Sequence, residues 1–119
     1  MADRGRRCYP DGVAKARIFS DEEIAAGVDS LEGWELRDGR LRKRYTFRTF
    51  LRAMMFVNSV AYLSEGAGHH PDITINYNKV TLRLITYSEK ALTDRDFSLA
   101  RDIEEKLASK LIVEPEGDE

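Results

Sequence analysis

The two histidines of the chain are neighbours, His69 and His70, and Pro71 follows them directly. An imidazole gains or loses a proton near neutral pH, so a paired set suits general acid–base work. Pro71 biases His70 away from helical backbone, and Gly66 and Gly68 stand just before the pair. That spacing places both histidines in a short loop between a helix stop and a strand start. Loops held by rigid elements are common carriers of function. Glu65 lies one helical turn upstream, where a carboxylate could orient an imidazole. Two other readings stay open from the residues alone: two surface loop histidines, or one of them capping the preceding helix. Metal binding is not expected, because adjacent side chains rarely chelate one ion and no further histidine completes a ligand set. Cys8 has no second Cys or His close by in sequence.

The elements around this loop follow from pattern. Ser20 with Glu23 forms a capping box, and Asp21 and Glu22 suit the positive end of a helix. Ile24, Val28 and Leu31 give that helix one apolar stripe, and Gly33 stops it. A strand begins at Trp34-Glu35-Leu36, and Asp38-Gly39 is a strong hairpin signal. The return strand, 41–47, places Leu41, Tyr45 and Phe47 on one face. Lys43 interrupts that face, so only partial burial is expected. A second helix is predicted over 50–64 with Thr49 as N-cap. Phe50, Met54, Val57 and Ala61 form one stripe; Leu51, Met55 and Tyr62 form another. A helix apolar on two sides packs on its own sheet and on a partner.

After the histidines, Ile73, Ile75 and Tyr77 alternate as a strand. Asn78-Lys79 can form the next turn, since Asn tolerates positive φ. Val80, Leu82 and Leu84 then oppose Thr81, Arg83, Ile85 and Tyr87 across the following strand. A last helix starts near Thr93, with Phe97, Ala100, Ile103, Leu107 and Leu111 as its stripe. Thr93-x-x-Asp96 reads as its capping box. The order α-β-β-α-β-β-α implies an α+β fold, a four-stranded antiparallel sheet with three helices on one face.

A chain of 119 residues with 42% hydrophobic and 34% charged residues fits one globular domain. We divide it into a lead over 1–17, a domain over 18–113 and an acidic tail over 114–119, with lead and tail expected to be irregular and solvated. Nineteen basic and 21 acidic residues leave a net charge of −2, so no bulk field draws the protein to nucleic acid or to a membrane. No apolar run is long enough to span a bilayer, and no apolar segment follows Arg4, Arg6 and Arg7 as a secretory signal would require. One cysteine, without an internal partner, points to a reducing, cytoplasmic location.

The run from Glu65 through His69, His70 and Pro71, then Tyr77 and Asp96, resembles the signature of pterin-4a-carbinolamine dehydratases. Trp34, Phe47, Phe50, Ala53, Phe56, Tyr77-Asn78-Lys79-Val80 and Leu92-Thr93 agree with it in register, over about residues 20–108. The resemblance implies the fold just described, assembly into homodimers or homotetramers, and loss of water from a 4a-hydroxytetrahydropterin without metal or other cofactor. It implies His69 as the leading acid/base, His70 as a pterin contact, Glu65 as an orienting group and Asp96 as the acid beside the site. Pro71, Tyr77 and Tyr87 complete the expected pocket.

One position departs from the pattern: Tyr87 stands where the family's third histidine would fall. A phenol is a poor base at neutral pH but donates a hydrogen bond. The resemblance therefore implies either a dehydratase weakened by Tyr87 or a non-catalytic relative that binds a protein client. RuBisCO assembly factors of carboxysomes and a transcriptional coactivator are family precedents for the second. The basic hairpin residues Arg37, Arg40, Arg42, Lys43 and Arg44 are read as a solvated face that could meet an acidic partner.

Overall fold

The computed structural model describes residues 16–108. Cys8, Leu111, most of the lead and the acidic tail lie outside the described residues. The first helix, α1 (Asp21–Asp29), is closed by the capping box its sequence predicts: Ser20 Oγ accepts from the Glu23 amide and Glu23 Oε1 from the Ser20 amide. Strands β1 (Glu35–Arg37) and β2 (Arg40–Thr46) are joined through Asp38 and Gly39. Their φ angles of 52° and 76° give two consecutive left-handed residues, the backbone of a type I′ hairpin. Helix α2 (Phe50–Ala67) follows, then β3 (Asp72–Asn76), β4 (Lys79–Leu84) and α3 (Asp94–Ile103), which continues as one π-helical turn over Glu104–Ala108.

All strand pairs are antiparallel, in the spatial order β1-β2-β4-β3. The second strands of the two hairpins thus pair with each other at the centre. Leu41, Tyr45, Val80, Leu82 and Leu84 point from these inner strands into the core, and Phe47 joins them just past β2. They meet Ala53, Phe56 and Val60 of α2, and Phe97, Ala100 and Ile103 of α3. Tyr45, Phe47 and Phe56 pack mutually at centroid distances of 4.7–6.5 Å, the Phe56 ring tilted against the other two. Aromatic faces at such separations add to the benefit of burial.

Three expectations are corrected here. Leu41, Tyr45 and Phe47 of the β2 face are buried completely although Lys43, itself half-buried, stands among them. Its stem crosses the core edge and its ammonium reaches Glu104 Oε2 at 2.8 Å and the Glu32 carbonyl at 3.1 Å. In α2 the buried stripe is Ala53, Phe56, Val60 and Ser64, one residue out of phase with the expected set; Phe50 and Ala61 are exposed. The true stripe was hidden because it holds a serine and an alanine among its four residues. The second stripe, Leu51, Met55 and Tyr62, is open to solvent. Finally, the β3–β4 turn is Tyr77-Asn78, with Tyr77 at φ 54°. Asn78 is pulled inward instead: its Nδ2 donates to the Phe47 carbonyl at 2.7 Å and its own carbonyl accepts from the Phe47 amide at 2.9 Å.

Candidate active site

The His69-His70 loop is set by the way α2 ends. Gly68 adopts the left-handed conformation (φ 68°), which an L side chain rarely accepts. Its amide returns to Glu65 and the His69 amide returns to Ser64 at 3.2 Å. The reversal throws His69 across the end of the sheet toward α3. There its Nε2 lies 2.6 Å from Asp96 Oδ1. The Asp96 side chain is fully buried and that of His69 is 11% exposed.

Asp96 is therefore both of the things its sequence position allowed. Oδ2 caps α3 by accepting from the Thr93 amide at 2.9 Å and also accepts from Thr86 Oγ at 2.8 Å. Thr86 Oγ is in turn 2.7 Å from Thr93 Oγ. Thr86 has one hydroxyl proton, and it goes to the carboxylate; Thr93 must then donate to Thr86. Both recorded donors besides His69 fall on Oδ2, and Oδ1 is aimed at His69. A buried carboxylate needs this degree of satisfaction. The carboxylate accepts from Nε2–H, which fixes the tautomer and leaves Nδ1 of the neutral imidazole as the ring's acceptor.

His70 is handled differently. Its Nε2 is 2.8 Å from Glu65 Oε2, but the two side chains are 59% and 77% exposed. Pro71 is half-buried between the histidines and β3. Tyr87 is exposed and reaches the same end of the sheet: its hydroxyl donates to Asp72 Oδ2 at 2.6 Å. Arg40 lies over its ring, with the guanidinium carbon 5.8 Å from the centroid and Nη2 3.4 Å from the hydroxyl. Tyr77 is not brought to this cluster. It is the first residue of the turn at the opposite end of β3 and is 70% exposed.

Sequence reasoning missed Thr86, Asp72 and Arg40. Thr86 and Asp72 adjoin the singled-out Tyr87 and Pro71, but only the long-range return of α3 and the pairing of the hairpins give them their partners. A second carboxylate cluster, around the partly buried Glu104, was also illegible. Glu104 Oε2 accepts from Trp34 Nε1 at 3.0 Å, from Lys43 and from the Tyr45 hydroxyl. Burial first, and the Glu104 carboxylate second, push the Tyr45 phenol far above its ordinary value. Among the described residues, no group of three or more His, Cys, Asp or Glu is placed to hold a metal ion.

A small α+β domain with a histidine loop braced by a buried helix-capping aspartate defines a class, and comparison with known proteins gives the family. The model of the pterin 4 alpha carbinolamine dehydratase family matches residues 17–106. The chain belongs to this family. A relative from Thermomicrobium roseum, provisionally named a pterin-4-alpha-carbinolamine dehydratase, is 47% identical over 87 residues, covering 73% of this chain and 94% of its own length. One of the same name from Mycolicibacterium vanbaalenii is 42% identical over 87 residues, covering 73% and 94%. Among solved structures, a transcriptional coactivator/pterin dehydratase from Brucella melitensis superimposes with a TM-score of 0.71 at 30% identity, over 75% of this chain and 97% of that one. A pterin dehydratase-like RuBisCO assembly factor of the alpha-carboxysome shares the fold, with a TM-score of 0.51 at 23% identity, over 60% and 83%.

Proposed function

We propose that this protein dehydrates a 4a-hydroxytetrahydropterin to the quinonoid dihydropterin, with His69 as its principal acid/base. The observation that carries the reading is the 2.6 Å contact between His69 and a fully buried Asp96. In the reaction a base removes the proton on N5, the C4a=N5 double bond forms, and the C4a–O bond breaks as the hydroxyl leaves as water. Atoms and charge balance with one proton taken and one given, and no electrons are exchanged. His69 Nδ1 takes the N5 proton, and the imidazolium so formed, stabilised by Asp96, returns it to the departing hydroxyl, which leaves as water. His70, steadied by Glu65, contacts the bicyclic ring from the solvent side. The Tyr87 hydroxyl, whose own proton is directed at Asp72, supplies a polar contact where other family members carry an imidazole. It accepts a hydrogen bond there more readily than it moves a proton, and turnover is accordingly slower than with a third histidine.

The test is to mix purified protein with synthetic 4a-carbinolamine and follow its disappearance optically. A rate above the uncatalysed one that is lost in His69→Ala supports the reading. A rate equal to background, with no pterin binding by calorimetry, removes it. The open α2 stripe of Leu51, Met55 and Tyr62 favours a second, compatible reading, in which this face packs on another chain. A second copy would make the protein a homo-oligomer, and a different chain would make it a client-binding relative. Light scattering of the parent and of Tyr62→Glu separates them: a mass that falls to one chain in the variant identifies the homo-oligomer, and a monomeric parent leaves the face to a client.

A further inference from the structure

Behind the contact between His69 and Asp96 runs a chain of hydroxyls with one direction. Asp96 Oδ2 accepts the Thr93 amide proton at 2.9 Å and the Thr86 hydroxyl proton at 2.8 Å. Thr86 Oγ, having given its only proton, accepts from Thr93 Oγ, 2.7 Å away. Thr93 Oγ in turn accepts from the Arg95 amide at 3.2 Å. The chain thus begins at a backbone N–H of α3, passes through two hydroxyls and ends on the carboxylate that faces His69. Each donor in such a chain polarises the next. Thr86, Thr93 and Asp96 are 3%, 0% and 0% exposed, so bulk solvent does not supply a missing link.

Capping α3 does not require Thr86. The box of Thr93 and Asp96 closes the helix by itself, Thr93 Oγ accepting from Arg95 and Asp96 Oδ2 from Thr93. Thr86 is an added member, brought from outside the helix. It follows β4 and is fastened by its own bridge to Ala91. Its amide donates to the Ala91 carbonyl at 3.1 Å, and its carbonyl accepts from the amides of Glu89 at 3.0 Å and Ala91 at 3.4 Å. Three backbone hydrogen bonds on one residue fix where its side chain points. The next residue, Tyr87, turns outward to Asp72.

The torsion that turns an aspartate's carboxylate is broad and nearly two-fold. One donor on Oδ2, from the helix that carries Asp96, leaves the group free to rock about that contact. A second donor, from a separately anchored segment, fixes its plane and with it Oδ1, 2.6 Å from His69 Nε2. We propose that Thr86 is a positioning residue of the site: through Asp96 it holds the His69 ring in the tautomer that leaves Nδ1 bare. Its effect on rate rests on the dehydratase reading; its effect on the tautomer does not.

The test compares Thr86→Val, which keeps the shape and removes the hydroxyl, with Thr86→Ser, which keeps the hydroxyl. In nitrogen-15 spectra of the ring, taken well above the ordinary histidine range, the parent and Thr86→Ser should show His69 protonated on Nε2 alone. Thr86→Val should show both tautomers. With synthetic carbinolamine, Thr86→Val should lower kcat by about tenfold or more and leave KM within about twofold, and Thr86→Ser should restore the rate. Should Thr86→Val not fold, Thr86→Cys, whose thiol is a weak donor, replaces it in both measurements under the same criteria. A single Nε2–H tautomer in the variant without the hydroxyl, or a loss in Thr86→Ser as large as in that variant, overturns the proposal. A parent rate equal to the uncatalysed one would remove the dehydratase reading instead, and the ring spectra would still decide the role of Thr86.

Discussion

His69 and His70 are consecutive residues, each within 2.8 Å of a carboxylate, yet they belong to different physical regimes. The His69–Asp96 contact is buried, and the other carboxylate oxygen is held by two fixed donors. The His70–Glu65 contact is open, so water and salt compete for both partners. The difference teaches that a shared residue type and a short distance do not give two imidazoles the same setting. One imidazole has a fixed tautomer and a fixed direction; the other has freedom to follow a ligand.

The largest expected effect is at His69. His69→Ala should lower the dehydration rate by about 10²–10⁴-fold while leaving the far-ultraviolet dichroism unchanged. Asp96→Asn comes next, and it should split into two readouts. An amide cannot accept from both Thr93 N–H and Thr86 while holding His69 in the same tautomer, so the rate falls. A weakened cap and an unsatisfied buried group also cost stability, about 1–3 kcal/mol in urea melts. Equal rates for Asp96→Asn and the parent would erase the contrast between the two histidines.

The Glu104 cluster extends the comparison to a partly buried carboxylate without a histidine. Tyr45 has its phenol raised above the ordinary value of 10.0 by burial and then by Glu104. Below that pH the folded and unfolded states are both protonated there, and the contribution to stability is complete. Above it the unfolded chain alone loses the proton, so stability should fall as pH rises past about 10. In Tyr45→Phe that alkaline loss should be shallower in pH-dependent melts. Smallest of all, Glu65→Gln should change stability by less than about 1 kcal/mol and the rate far less than His69→Ala does. A Glu65 effect as large as that of His69 would show that solvent exposure misleads here.

Much of the fold was legible because its signals are local. Ser20 with Glu23, Asp38-Gly39 and Thr93 with Asp96 each specify their geometry within four residues. The alternation of Val80, Leu82 and Leu84 was equally direct. What misled was a residue whose role is set at long range. Lys43 looked like a surface cation because its partner is 61 positions away. Asn78 looked like the turn residue because its hold on Phe47 spans 31 positions. The α2 stripe was read from its largest apolar residues, although the side against the sheet has room for Ala53 and Ser64. At the site, Glu65, His69, His70 and Asp96 were legible as types in register. That Asp96 caps a helix with one oxygen and orients an imidazole with the other required the coordinates.

The strand order β1-β2-β4-β3 has a consequence for how the chain is made. Each hairpin offers its second strand to the other, so the first to be synthesised has one flank without backbone partners until β4 appears. A ribosome-bound chain stalled before residue 79 would carry β2 as a bare ribbon edge, open to pairing with a neighbouring nascent chain. Its charged rim would then be the main barrier to clumping. The same weld makes the two halves inseparable as independent folding units: cleaved at the Gly68 bend, neither half would keep His69 beside Asp96 unless the other returned to zip the centre closed.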